Sequence, residues 1–243
     1  MDALLLRRSF ARRGLPPIEA AIKTRPNLLA GEDLLPEPVQ KRSIEKRSRL
    51  KTAALSEFGA KGFEKAGVER IAKRTSLAVG SFYQHFRSKR QLLLALMDDL
   101  LEKLSNLNFH PEPAHDVRTG LRQLLSRAFS YDLCYLGAYR AWQEAVLSDP
   151  SLAHKHKQIH EWTTSRVATL FQHLQQLPNA RSGVDLLGMA KTMDTLLWSL
   201  LAQAGQLPKA ELNRQIDSAT HLIYCALFRD MQITRGNNIA QTE

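Results

Sequence analysis

Apolar positions recur along most of this chain at three- and four-residue intervals, the spacing of one face of an α-helix. Ile44, Leu50, Ala53, Ala54, Leu55 and Phe58 define a first helix that starts near Ser43, a residue suited to an N-cap. Gly59 and Gly62 mark its end, and Phe63 follows as an apolar plug. A second, short helix covers Val68 to Arg74, with Val68, Ile71 and Ala72 inward. After a turn at Thr75 to Leu77, a third covers Val79 to Phe86 and buries Phe82 and Phe86. Ser88 and Gln91 have capping-box spacing and open a fourth helix with a broad apolar surface, from Leu92 to Leu104. Two helices this short cannot stand alone, so the first and fourth must serve as their floor. Phe58, Phe63, Ile71, Ala72, Phe82 and Phe86 are the expected core of this module.

The remainder also has helical period. One helix spans Asp116 to Tyr131 and another about Leu133 to Leu147. Asp149-Pro150-Ser151 signals the start of a longer one ending near Leu177, where Pro178-Asn179 interrupts. Ser182 is the expected cap of the next, with Asp185 at its third position, running to about Ala204. The last begins near Pro208 and runs to about Met231. The final two helices carry apolar residues on more than one side and need burial on more than one face. Leu186, Met189, Leu197, Leu212, Ile216, Ile223 and Leu227 are the candidates for covering by a second subunit; an intramolecular core is the competing reading. Tyr135, Tyr139, Trp142, Trp162, Phe171, Met193 and Trp198 supply enough apolar surface to line a small-molecule cavity or, equally, a solid core. Arg140, Gln143 and Glu144 are the polar candidates beside them.

Charge divides the chain more sharply than hydropathy. Of the formal net charge of +10, residues 41–103 hold +8, from 15 Lys and Arg against 7 Asp and Glu. A polyanion-binding module joined to a near-neutral body fits this distribution, as does a solubilising basic surface. Cys134 and Cys225 lie far apart, which excludes a disulfide-dense scaffold and a CxxC site. No run of 18 apolar residues is present, so a membrane-spanning helix is not expected. The sequence lacks HExxH, GxSxG and a glycine-rich phosphate loop, so no catalytic residues are assigned. His156 and His160 share a helix face and, with Glu161, make a possible cation site, but flanking lysines favour a solvated surface; no metal is assigned.

Residues 1–42 form an extension whose prolines, Pro16, Pro17, Pro26, Pro36 and Pro38, break any long helix. Residues 3–13 have the pattern of a short basic amphipathic helix. A flexible arm, a DNA-binding arm, and a segment packed on the body or a partner are the competing readings.

The ordered set Gly62-Phe63, Val68-Glu69-Arg70-Ile71-Ala72 and Gly80-Ser81-Phe82-Tyr83-Gln84-His85-Phe86-Arg87-Ser88-Lys89 resembles the DNA-binding signature of the tetracycline-repressor-like (TetR) family, with matching spacing from Leu50 through Leu94. The resemblance implies an all-α chain, with a helix-turn-helix DNA-binding domain at 43–90 and a larger helical effector-binding and dimerisation domain at 91–243. It also implies phosphate contacts from Tyr83, His85 and Lys89, close DNA approach at Gly80, and base-edge candidates at Val79, Ser81 and Gln84. It places the last two helices in a dimeric four-helix interface. Three positions depart from the pattern: Gly67 before the second helix, Ser76 in place of the turn glycine, and Ala78 at the cap of the third. Ala78 offers no side-chain cap, at a cost of about 1 kcal/mol.

These readings predict a cytoplasmic, nucleoid-associated homodimer that represses transcription from double-stranded operator DNA, carries no cofactor, and is released by a small-molecule effector. An activator of the same fold is the alternative; a basic helical adaptor with only general polyanion binding is the alternative of another class.

Overall fold

The computed structural model describes residues 24–107, 109 and 116–229. The proposed helix at residues 3–13 lies outside them. Among the described residues the chain is all-α, with nine helices: α1 (Lys41–Lys65), α2 (Val68–Arg74), α3 (Val79–Tyr83), α4 (Lys89–Ser105), α5 (Val117–Cys134), α6 (Leu136–Ser148), α7 (Pro150–Gln175), α8 (Leu186–Ala204) and α9 (Lys209–Leu227).

Local signals place most helix ends. Ser88 Oγ accepts from Gln91 N at 3.1 Å, while the Gln91 side chain returns to Arg87 N at 2.7 Å, one residue earlier than in a standard capping box. Asp116 caps α5 through Thr119 N, and Asp149 caps α7 through Ser151 N and Leu152 N, with Pro150 in the first turn. At the end of α2 the backbone closes a Schellman motif. Leu77 N donates to Ala72 O, Ser76 N donates to Lys73 O, and Ser76 takes φ 57°. Gly62, at φ 73° and ψ −177°, breaks α1 and turns Phe63 back onto Phe58.

Four boundaries differ from expectation. α1 begins at Lys41, after Gln40 and without a side-chain cap, so Ser43 lies inside the helix. Asp185, not Ser182, caps α8, accepting from Gly188 N at 3.0 Å. The preceding residues are held off helical geometry by Gly183 at φ 77° and by a bridge that pairs Ala180 with Phe228. The same bridge requires extended backbone at Phe228, so α9 stops at Leu227. The third helix closes after one turn, at Tyr83, and Gln84 and His85 continue it as a turn into Phe86.

One apolar cluster runs from Leu28 through Phe58, Phe82, Phe86 and α4 to Trp142, Ile159 and Trp162. The helix-turn-helix module and the first half of the body therefore share a core. A second cluster joins α5, the end of α7, α8 and α9. α1 makes its most extensive helix pairing with α6. The contact is a backbone approach at Gly59 and Gly137, where a Cβ on Gly137 would overlap the Leu55 carbonyl. Glu144 on α6 adds a hydrogen bond from Phe63 N at 2.5 Å.

Residues 24–40 pack on the body. Leu28 is fully buried, Arg25 pairs with Asp98 at 2.8 Å, Lys155 Nζ donates to Ala30 O at 3.0 Å, and Glu32 pairs with Arg90. The prolines forbid a helix but allow this extended strap.

Two stability outcomes follow. Gly137→Ala gains helix propensity of up to about 1 kcal/mol but must separate α1 from α6. A net loss of about 1–3 kcal/mol is expected in denaturant melts. Ser76→Gly removes a side chain from the left-handed region and should raise stability by about 0.5–1 kcal/mol by the same measurement; no gain would mean that Ser76 is unstrained.

Candidate nucleic-acid interface and buried cavity

The helix-turn-helix is held from behind by arginines. Arg47 Nη1 donates to His85 O at 2.6 Å and stacks over Phe86 at 4.4 Å. Arg49 donates to Thr75 O in the turn. Glu57 is 1% exposed on α1 and receives α2 through Arg74 Nε at 3.2 Å. Arg70 Nε lies 2.8 Å from the other Glu57 oxygen, an ion pair without hydrogen-bond alignment. Burying a carboxylate this deeply requires such pairing. Part of the basic excess read from sequence is thus internal scaffolding.

Phe82 and Phe86 are fully buried, as are Phe58 and Ile71; Ala72 is 1% exposed and Phe63 half-buried against the same core. Their burial turns the other side of α3 outward. Val79, Gly80, Tyr83 and Gln84 are exposed and Ser81 half-exposed. A Cβ added to Gly80 would meet nothing within 4 Å. Neither Gly67 nor Ala78 provides a side-chain cap. Exposed Lys73 and half-buried Lys46 flank this module in sequence and make no ion pair among the described residues.

Two of the three phosphate-contact candidates are otherwise engaged. His85 is 5% exposed, and burial, with Arg47 and Lys46 nearby, lowers its pKa from the ordinary histidine value. The imidazole is therefore packed under the module rather than set at its rim. The His85 carbonyl ties the end of the α3 turn to α1. Lys89 donates to Phe63 O at 2.8 Å and Glu64 O at 3.0 Å and lies over the Phe63 ring. It therefore joins α4 to the broken end of α1. Tyr83, 51% exposed, presents its ring edge-on to Phe82.

The body holds a partly open cavity of about 200 Å³ among α4, α5, α6, α7 and α8. Met97, Leu100, Leu101 and Leu104 of α4 form one wall, and Leu197, Trp198 and Leu201 of α8 another. Of the seven aromatic and methionine candidates, Tyr139, Trp162 and Trp198 line it. Trp142, Phe171 and Met193 are buried in the two cores, and Tyr135 packs beside the first. The polar candidates also serve elsewhere. Glu144 holds Phe63 N, and Gln143 donates to Tyr139 Oη at 2.9 Å. The polar groups that do reach the cavity are Asp132, Thr163, Arg166 and Asp194. Each sits in an amphipathic helix among other polar residues, a pattern that resembles the solvated side.

Arg166 is pinned, donating to Ser105 O at 3.2 Å and Leu107 O at 2.7 Å, with its guanidinium over Trp162. Asp194 pairs with His160 Nδ1 at 2.9 Å. His156 Nδ1 lies 3.2 Å from Trp142 Nε1, which donates to it; burial, then His160, lowers its pKa. The two histidines are thus committed to neighbours. Among the described residues no group of three or more potential ligands is arranged to hold a metal ion, and no helix is long and apolar enough to cross a membrane.

Four of the dimer candidates belong to the chain's own core: Leu212, Ile216, Ile223 and Leu227 are each at most 6% exposed. They face inward because α9 packs on α5. Leu186 and Met189 are half-buried beside the second core, and Leu197 turns to the cavity. The outward side of α8 and α9 is instead a groove that includes Thr195, Leu196, Ser199, Gln215, Ser218 and Leu222.

Comparison with known proteins agrees with this geometry. Residues 50–96 match the model of bacterial regulatory proteins of the tetR family. The regulator YdgC of Bacillus subtilis is 33% identical over 69 residues, 28% of this chain and 35% of its own length, so the chain spans about a third of that relative. The transcriptional activator FasR of Mycolicibacterium smegmatis is 27% identical over 147 residues, covering 60% of this chain and 67% of FasR. SmeT, repressor of the Stenotrophomonas maltophilia multidrug efflux pump SmeDEF, shares the fold with a TM-score of 0.58 at 18% identity, over 81% of this chain and 97% of SmeT. With a buried α1–α4 module, an outward α3 and a helical body around a cavity, the chain has the fold of SmeT, and its residues 50–96 are a DNA-binding segment of the tetR family of bacterial regulatory proteins.

Proposed function

We propose that this chain is a homodimeric, sequence-specific transcriptional repressor that a small molecule releases from operator DNA. The observation that carries the reading is the outward face of α3, where Val79, Gly80, Tyr83 and Gln84 are exposed on a helix fixed from behind by Phe82 and Phe86. A short helix so mounted fits a major groove, with phosphate contacts for position and base-edge contacts for sequence. Tyr83 serves the first role and Gln84, with its donor and acceptor pair, the second. Lys89 reaches phosphate only by exchanging its carbonyl partners.

One helix reads few base pairs, so two copies held about 34–36 Å apart are needed for a near-palindromic site. The groove between α8 and α9, with Leu222 52% exposed and Leu187 54% exposed nearby, is the surface on which a second copy would close. The activator FasR and the repressor SmeT stand on the two sides of the remaining choice. Transcription with and without the protein decides it: repression supports the reading, and stimulation makes the protein an activator.

Operator selection from genomic fragments, followed by competition with random duplex, tests the binding claim. Persistence of the complex over excess random DNA is expected; equal competition would leave only general polyanion binding. Gly80→Ala should fold as the parent does, because its Cβ meets nothing, and should weaken operator binding roughly tenfold or more by closing the space for DNA. Gln84→Ala should cost about 1–3 kcal/mol of discrimination at one base pair while leaving random-duplex affinity nearly unchanged. If both variants match the parent on every duplex, α3 is not the reading helix.

A further inference from the structure

The cavity contains one polar group whose chemistry is unused. Asp132 lies near the end of α5 and lines the cavity, half-buried, with enough protein packed around it to desolvate its carboxyl. Its carboxyl makes no hydrogen bond or ion pair among the described residues, so its oxygens are left facing the cavity. The other titratable groups on the walls are committed. Arg166 of α7 is held by the Ser105 and Leu107 carbonyls, Asp194 of α8 by His160 of α7, and Tyr139 of α6 by Gln143 and the Trp198 carbonyl. Thr163 donates its hydroxyl to His160 O, and the remaining lining is apolar and aromatic, including the rings of Trp162, Trp198 and Phe129.

We infer that the cavity takes a small amphipathic cation, an alkyl or aryl amine whose ammonium group meets the Asp132 carboxylate while its apolar part lies against α4 and α8. This deepens the proposed function, because it rests on the same cavity being the effector site. Three observations converge on the class. A carboxylate on a largely apolar cavity wall, without a partner among the described residues, accepts a charge-assisted hydrogen bond from an entering cation. Aromatic faces attract the same charge. An anionic ligand would find the one wall cation among the described residues, Arg166, already donating to two carbonyls, and would face Asp132 and Asp194 besides. The volume sets the size: about 200 Å³ is below the roughly 300–1,000 Å³ of drug-sized sites, so the occupant is compact or a single chain.

The site is also tuned by protons. Desolvation pushes the Asp132 carboxyl up to about 7. The carboxylate that a cation needs is present above that value and lost below it, so cation binding strengthens as pH rises through about 7. Asp132→Asn is the suitable variant, because it retains the shape and the neutrality that the empty cavity favours.

The test titrates the whole protein with octylammonium, octanol and octanoate, three heads on one chain, following fluorescence of the lining tryptophans. At about pH 8 the ammonium should bind at least about tenfold more tightly than the alcohol. Near pH 6 that preference should fall about tenfold, as the carboxyl protonates. In Asp132→Asn the preference and its pH dependence should vanish while octanol binding persists. Equal binding of the three heads, tightest binding of octanoate, no binding of any, or a preference that survives in Asp132→Asn would each overturn the cation site. Affinity for the selected operator is measured alongside. Release by octylammonium in the parent but not in Asp132→Asn supports both readings. Asp132-dependent binding with unchanged operator affinity would preserve the cation site and overturn effector release.

Discussion

The structure depends on the all-round burial of α4. Gln91 through Met97 are seven consecutive buried residues, and Leu100 and Leu101 continue the burial. A helix without a solvent face for nearly two turns must be covered on every side at once. α1, α2 and α3 supply one part of that cover, α5, α6 and α7 the rest, and the strap at residues 24–40 closes the remaining edge through Leu28, Arg25 and Glu32. The helix-turn-helix therefore has no separate core. It is the near end of a packed unit that continues to the cavity.

This sharing gives a physical route between the two sites. The distance along α4 from Leu92, beneath the recognition module, to Leu104, in the cavity wall, is about 18 Å at helical rise. Close-packed interiors do not absorb displacement gradually; they shift between discrete arrangements. A wall residue that moves at Leu101 or Leu104 must therefore repack or carry the helix with it. The joint between α1 and α6 restricts the response further. Gly59 and Gly137 bring the backbones together, Glu144 holds the broken end of α1, and Lys89 ties the same end to α4. These ties couple the α1–α4 module to α6, so that neither moves without repacking the other.

The sequence revealed what is encoded locally and missed what depends on a distant partner. The bounds of α2, the Ser88 cap and the Asp149-Pro150 start rest on neighbouring residues, and all three are legible. Ser182 failed as a cap because Phe228, far along the chain, pairs with Ala180 and keeps the intervening backbone extended. Hydrophobicity marked Trp142, Phe171 and Met193 as equivalent to Trp162 and Trp198, yet only the last two border empty space. Whether a large apolar side chain meets a neighbour or a void is settled by its facing helix. His85 was misplaced for the complementary reason. Its polarity suggests the surface, whereas the turn after α3 rotates it under Arg47. Asp132 was invisible because one acid on an amphipathic helix resembles its solvated side.

α8 is where the cavity and the outer groove meet. Leu197 and Trp198 face the cavity, while neighbouring Leu196 and Ser199 face the groove between α8 and α9. An occupant that pushes α8 away from α4 therefore acts on both candidate determinants of DNA fit, the placement of the recognition module and the surface available to a second copy. The energy required is modest. A hundredfold change in operator affinity is about 2.7 kcal/mol, within reach of one charge-assisted hydrogen bond at about 1.5–3 kcal/mol, provided that the bond forms only in the state that fits DNA poorly. Tight binding alone would not suffice, because a ligand held equally by both states shifts neither. Asp132 meets the condition if the same displacement of α8 that opens the cavity also brings its carboxylate within reach of the bound charge.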